Sequence, residues 1–336
     1  MSLLETEQND IFLHKYLKYK TKYNTLKKQG GGVDIIKVDP ISVDEIMKII
    51  ETNPTIVDLS NKTINDEGVR AIIPTLGKMT SLNLSNTMIS YDNLIELANA
   101  LGTNSTLVEL NLSNNKIRGK GFNTLIVALN QSENTALKTL DLSNNFIGFE
   151  TVTIWAKPLG ENKTLTTLNL SNNLIKVKAG FGVGDALKLN TTLKHLIIHD
   201  NWISDKGVMP WAAAFKANEK TSIITIDLSK NNISTPGATA LISSIKTLTT
   251  LNLSRNDVLF KGQNTKPLRK AIEENKTITT LDLSNNNINQ EGMDVLVKAL
   301  VKNKTITTLN VLSDNNPIGL SGQAIINAAI VKNNQV

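Results

Sequence analysis

An α/β solenoid, strand and helix alternating in stacked units, is expected from three features of this 336-residue chain. An eleven-residue frame, clearest as Leu165-Thr-Thr-Leu168-Asn-Leu170-Ser-Asn-Asn173-Leu-Ile175, returns throughout. Its third apolar position falls at 59, 84, 112, 142, 170, 198, 228, 253, 283 and 311, in steps of 25 to 30 that average 28. Within each step a stretch of strand period precedes a stretch of helical period, the mark of one supersecondary unit repeated.

Residues 1–32 read as a basic amphipathic segment with a glycine linker. Phe12, Tyr16, Tyr19, Tyr23 and Leu26 are 4, 3, 4 and 3 residues apart, on one helical face. Lys15, Lys18, Lys20, Lys22, Lys27 and Lys28 surround that face with no acid among them, and Gly30-Gly31-Gly32 ends the helix. Residues 33–54 are expected to hold an N-terminal capping helix, since Ser42-Val-Asp-Glu45 is a capping box ahead of Ile46, Met47, Ile49 and Ile50. Residues 55–318 carry the repeats. Residues 319–336 form a C-terminal capping helix whose outward side is expected to be polar through Gln323, Asn327 and Lys332.

In each repeat, Leu-x-x-Leu-x-Leu puts alternate side chains on one face, a strand buried on one side. A loop follows, often with glycine, as at Gly68, Gly121, Gly207, Gly237, Gly292 and Gly322. A helical stripe such as Met293, Leu296, Val297 and Leu300 comes next. Before the next strand Asn recurs, at Asn53, Asn104, Asn162, Asn190, Asn275 and Asn303, and is expected to end the helix in the left-handed conformation. Short strand–helix–strand connections impose parallel strands and right-handed crossovers.

The frame Leu-x-x-Leu-x-Leu-x-x-Asn-x-Ile, with a helix and a period near 28, resembles the ribonuclease-inhibitor-like class of leucine-rich repeat proteins over roughly residues 55–318. The resemblance implies a curved horseshoe, strands on its concave face and helices on its convex one. The ladder Asn of that class is matched by Asn115, Asn145, Asn173, Asn201, Asn231, Asn256 and Asn286, whose amides can satisfy the backbone of the buried turn. Lys62 and Thr87 stand there in the first two copies, and the longer last copy reaches Asn316, departures expected of terminal repeats. The run Tyr16-Leu-Lys-Tyr-Lys-Thr-Lys-Tyr23, ending in glycines, resembles an N-terminal element of proteins of giant viruses of the mimivirus group, and implies no activity.

Material for chemistry is scarce. Apolar residues make up 40% and charged residues 20%, a soluble globular balance. The absence of Cys excludes disulfides, thiolate zinc sites and Cys nucleophiles. His14, His195 and His199 are the whole histidine complement. On a strand, His195 and His199 would lie about 13 Å apart, too far for one zinc to bridge. No Gly-rich phosphate loop, His-Glu-x-x-His or Gly-x-Ser-x-Gly occurs. Neither an 18-residue apolar run nor a secretory h-region is present, so no membrane span or signal is expected. Neither catalysis, a metal nor a cofactor is expected.

Function then rests on surfaces. Asn or Asp recurs between the last two strand leucines, as Asp141, Asn169 and Asp227, with Thr two residues before it. Either this uniformity is a default of duplication or it is a polar, mildly acidic groove for a protein or peptide. It breaks in the sixth repeat, where Lys194 and His195 precede Ile197, His199-Asp200 replaces Ser-Asn, and Trp202 follows. An exposed Ile197 between two His and near an indole would make an apolar anchor in a polar rim. The reading is a monomeric, non-enzymatic module that binds a protein partner through its concave face.

Its rival is a structural or virion-associated protein anchored by the basic helix to nucleic acid or another component. That segment leaves open a solvated helix, docking on another protein, an anionic surface, and cleavage after the glycines. A GTPase-activating protein is a poorer option, since no catalytic Arg is singled out. Asn83, Asn111, Asn169 and Asn252, each two residues before Ser, would carry sugars on inner strands in a secretory compartment. A cytoplasmic location is therefore expected: host cytoplasm, viral factory or virion if the chain is viral.

Overall fold

A computed structural model of the chain describes residues 40–131, 134, 136–148, 152–258, 265–312 and 316–334. The basic segment 1–32, with its six lysines, lies outside the described residues. Ten three-residue strands form one parallel sheet in chain order, β1 to β10. They are Ile56–Asp58, Ser81–Asn83, Glu109–Asn111, Thr139–Asp141, Thr167–Asn169, His195–Ile197, Thr225–Asp227, Thr250–Asn252, Thr280–Asp282 and Thr308–Asn310. Each pairs with its sequence neighbours in one constant register, Thr139 opposite Thr167 and Thr167 opposite His195.

Helix α1 (Val43–Thr52) precedes the sheet, and Ser42 and Glu45 close the expected capping box on it. One helix then follows each strand: α2 (Asp66–Ile72), α3 (Tyr91–Gly102), α4 (Arg118–Leu129), α5 (Val152–Glu161), α6 (Lys176–Leu189), α7 (Ser204–Ala217), α8 (Thr235–Ser244), α9 (Thr265–Glu274), α10 (Gln290–Lys302) and α11 (Gly319–Asn334). Strand leucines such as Leu140 and Leu168, the Ile that ends each frame, and helix residues such as Leu125 and Val183 form one continuous core between the layers.

The ladder asparagines are what tie one repeat to the next. Asn145 is fully buried, and its Oδ1 accepts from the backbone N–H of Asn115 (2.9 Å) and of Ile117 (3.2 Å). Its Nδ2 donates to the carbonyls of Leu112 (2.9 Å) and Ser143 (3.1 Å). Asn115, Asn173, Asn201, Asn231, Asn256 and Asn286 each bridge to the preceding repeat in the same way. Asn316 adds a further rung, accepting from Asn286 and Ile288. Thr87, also buried, supplies one donor where Asn supplies two, its hydroxyl giving to Leu84 O at 2.7 Å.

Three expectations need correction. The helix-ending asparagines are not left-handed: Asn190 has φ −73 and Asn303 φ −79. They recur because the amide caps two repeats at once. Asn190 Nδ2 donates to Leu159 O of the previous helix at 2.8 Å, and its Oδ1 accepts from the N–H of Thr192 and Leu193. Left-handed backbone falls instead at the strand exits, including Asn114, Asn144, Asn172, Asp200 and Lys230.

The recurrent glycines lie inside helices rather than in loops. A Cβ on Gly121 would sit 2.6 Å from Ile117 Cγ2, and one on Gly207 would sit 2.5 Å from Ile203 Cγ2. Glycine leaves room there for the core Ile that ends each frame.

The outward side of α11 is mixed rather than polar: Leu320, Ile325 and Val331 are exposed alongside Asn327. Gln323 turns inward because the open edge of β10 needs partners. Its Oε1 accepts from Val311 N at 2.9 Å and its Nε2 donates to Leu309 O at 2.8 Å, completing the last strand as a neighbour would. Gln323→Leu should therefore lower stability by about 1–3 kcal/mol through two unpaired backbone groups. Urea denaturation followed by circular dichroism measures it, and an unchanged midpoint would refute the capping role.

Candidate binding surfaces of the central repeats

The concave face owes its uniformity first to the backbone. Asp141 Oδ1 accepts from Ser143 N at 2.9 Å, Asn169 Oδ1 from Ser171 N at 3.0 Å, and Asp227 Oδ1 from Ser229 N at 2.9 Å. Each Asn or Asp thus braces the turn by which its strand leaves the sheet, although β6, with Ile197 there, also ends after three residues. Asp never follows Asp in the order Asp58, Asn83, Asn111, Asp141, Asn169, Ile197, Asp227, Asn252, Asp282, Asn310. Neighbouring strands lie about 4.8 Å apart, so adjacent carboxylates would repel at short range. Burial pushes the Asp141 carboxyl up, against the bonds it accepts from Ser143.

In the sixth repeat the structure brings together part of the expected patch. His195 and His199 are half-buried on the concave side and Lys194 is exposed. Burial, with the Lys194 charge beside it, pushes the His195 imidazole down, which favours its neutral form. Ile197 departs from expectation: it is 3% exposed, not an open anchor, although it stands outside the continuous core. In register, Asn169 and Asp227 flank it on the adjacent strands, with His195 at the start of its own strand and His199 two residues past the strand's end. Trp202 carries the apolar exposure instead, at 61%. A left-handed backbone, φ 59, turns it out of the strand exit. Beside it, Asp200 forms an ion pair with Lys230 at 2.7 Å.

Trp202 has company the sequence reading missed. At the same position of the two preceding repeats stand Leu174, 41% exposed, and Phe146, 53% exposed. The signal was available: each directly follows a ladder Asn, a place held by Lys116, Asn232 and Asn287 elsewhere. Among the described residues no cluster of His, Asp and Glu can hold a metal ion, and no helix is long and apolar enough to cross a membrane.

The geometry defines a class of architecture, and the comparisons agree with it. The Leucine Rich repeat family model matches residues 103–122, 161–178, 189–210, 219–241, 244–259 and 274–297. With ten strand–helix units in chain order, the fold is a leucine-rich repeat solenoid. In fold the chain is similar to the leucine-rich repeat-containing protein LegL7 from Legionella pneumophila. The TM-score is 0.57 at 21% identity, covering 88% of this chain and 96% of that one. A chain of the TLR13–ssRNA13 complex gives a TM-score of 0.46 at 15% identity, over 76% of this chain and 35% of that one. No curated protein matches. Leucine-rich repeat domains generally mediate protein–protein interaction and are typically non-enzymatic.

Proposed function

We propose that the protein is a non-enzymatic binding module that takes a protein partner against the concave face of its central repeats. The observation that carries this reading is the break at β6. There Thr and Ser give way to His195 and His199, beside an exposed Trp202. Elsewhere the concave Asn and Asp brace their own strand exits, so the sixth repeat is where the face offers something besides repeat structure. Two half-buried histidines and an indole on one edge suit a partner with both polar and apolar contacts. Helices of 10 to 14 residues in most repeats support the ribonuclease-inhibitor-like subclass. The concave sequons support a cytoplasmic setting, since a glycan on Asn169 would displace its bond to Ser171. The run Tyr16-Leu-Lys-Tyr-Lys-Thr-Lys-Tyr23 ahead of the glycines supports, as a further part of this reading, an N-terminal segment of the giant-virus type.

The test begins with a partner captured by the full chain and then titrated against it. The pair His195→Thr and Ile197→Asn restores the pattern of the other repeats, and Asn can again accept from the backbone at the strand exit. We expect binding to weaken about tenfold. A change under about threefold, less than about 1 kcal/mol, removes the sixth-repeat patch from the interface.

A further inference from the structure

We propose that the strand-exit rim of the third to sixth repeats is a docking ridge for an acidic amphipathic helix of a protein partner. This surface adjoins the concave face at Trp202 and does not depend on the concave reading.

The ridge is apolar and braced by hydrogen bonds, though its backbone is not uniform: Phe146 and Trp202 are left-handed, φ 56 and 59, whereas Leu174 is not and donates its N–H to Ile147 O at 2.8 Å. Phe146, Leu174 and Trp202 project from three consecutive repeats at one equivalent position. Beneath them the turns are bonded repeat to repeat. Asn114 N donates to Ser143 O at 2.9 Å, Asn144 N to Ser171 O at 3.0 Å and Asn172 N to His199 O at 2.8 Å. The turns that carry the three side chains are therefore stacked at about the strand spacing, roughly 4.8 Å. A helix presenting one apolar residue per turn repeats at about 5.4 Å, so three anchors drift by only about 1 Å in all. Large apolar groups held out in water, one per strand, mark an interaction surface rather than a packing default.

Charge selects the kind of helix. Lys116, Arg118 and Lys120 are exposed in the third repeat, and Lys176 and Lys206 in the fifth and sixth. None of the five forms an ion pair with an acid among the described residues. On the sixth repeat, Asp200 pairs with Lys230, while Asp205 accepts from the backbone N–H of Ser234 at 2.7 Å and from its hydroxyl, bonds that leave its charge in place, so one carboxylate stands against five cations. The rim thus presents net positive charge around an apolar line, complementary to a helix with one apolar stripe flanked by Glu and Asp. Leu174 between the two aromatics argues against nucleic acid, because it offers a base no ring to stack on.

Trp202 reports the event directly, because Trp155 and Trp211 are buried in the core. The experiment titrates the full-length protein with a synthetic helical peptide of about 18 residues, Leu and Phe along one stripe and Glu elsewhere. We expect a saturable blue shift of Trp202 emission and protection from acrylamide quenching. Phe146→Ser with Leu174→Ser should weaken binding about tenfold, as should Lys116→Glu with Lys176→Glu, while circular dichroism stays unchanged. A peptide with Lys in place of Glu should bind at least about tenfold more weakly. His195→Thr with Ile197→Asn should leave the peptide affinity unaltered, which separates this ridge from the concave face. Equal binding by a scrambled peptide of the same composition overturns the proposal. So does an unshifted emission at about 1 mM peptide. A shift produced more readily by anionic lipid vesicles or by single-stranded oligothymidylate than by the peptide also overturns it, and assigns the ridge to lipid or nucleic acid.

Discussion

A chain with Leu in place of Asn145 is expected to be less stable by about 3–5 kcal/mol, a large share of the roughly 5–15 kcal/mol that holds an ordinary domain. The side chains are similar in size, so the loss comes from hydrogen bonds rather than volume. Leu removes the acceptor for Asn115 N and Ile117 N, and the donor for Leu112 O and Ser143 O, at a site with no exposure. Each buried backbone group left unpaired costs about 1–3 kcal/mol, and partial relaxation keeps the sum below its maximum. Because that amide joins two repeats, the variant should also uncouple the third from the fourth and broaden the unfolding transition. Urea denaturation measures the first effect. Hydrogen exchange at Asn115 and Ile117 measures the second, with faster exchange expected there than at β8. A midpoint within about 0.5 kcal/mol of wild type would mean that the ladder is not a stabilising device.

That ladder was legible in the sequence because backbone geometry and side-chain spacing carry the same information. A rung between two repeats, every 28 residues on average, is best filled by a side chain with a donor and an acceptor, and Asn stands there in all but the terminal copies that begin the array. The helix-ending asparagines were legible in position but not in conformation. An Asn that adopts a left-handed turn and one that lends its amide look alike, and the deciding group, Leu159 O for Asn190, lies 31 residues away. Ile197 failed for a related reason. Alternation assigns it to the concave side, but its exposure is set by β5 and β7, which bring Asn169 and Asp227 alongside. Trp202 is turned outward by a left-handed φ at that turn, which a single repeat read along the chain does not reveal. Comparing the residue after each ladder Asn as a column, rather than reading each repeat along the chain, would have exposed Phe146, Leu174 and Trp202 together.

Gly180→Val is expected to cost about 2–3 kcal/mol, from a close approach of two helices rather than from backbone freedom. A Cβ at Gly180 of α6 would lie 3.0 Å from Gly207 Cα and 3.1 Å from Gly207 O on α7, with Ile203 Cγ2 also at 3.0 Å. Two of those three atoms are backbone, which cannot rotate away, so the added methyls must push α6 and α7 apart. Doing so strains the bond from Trp211 Nε1 to Gly180 O, now 2.8 Å and buried. The same displacement reaches the sixth repeat, because Ile203 is the core residue that ends its frame. Gly77 is the control. A Cβ there meets nothing within 4 Å, so Gly77→Ala should stay within about 0.5 kcal/mol of wild type. Denaturant melts compare the two, while a red shift of the buried tryptophan emission in Gly180→Val that persists in a Trp155→Phe background would place the damage at Trp211. Equal stability of both variants would show that the α6–α7 contact yields at no cost, and that its glycines are not required by packing.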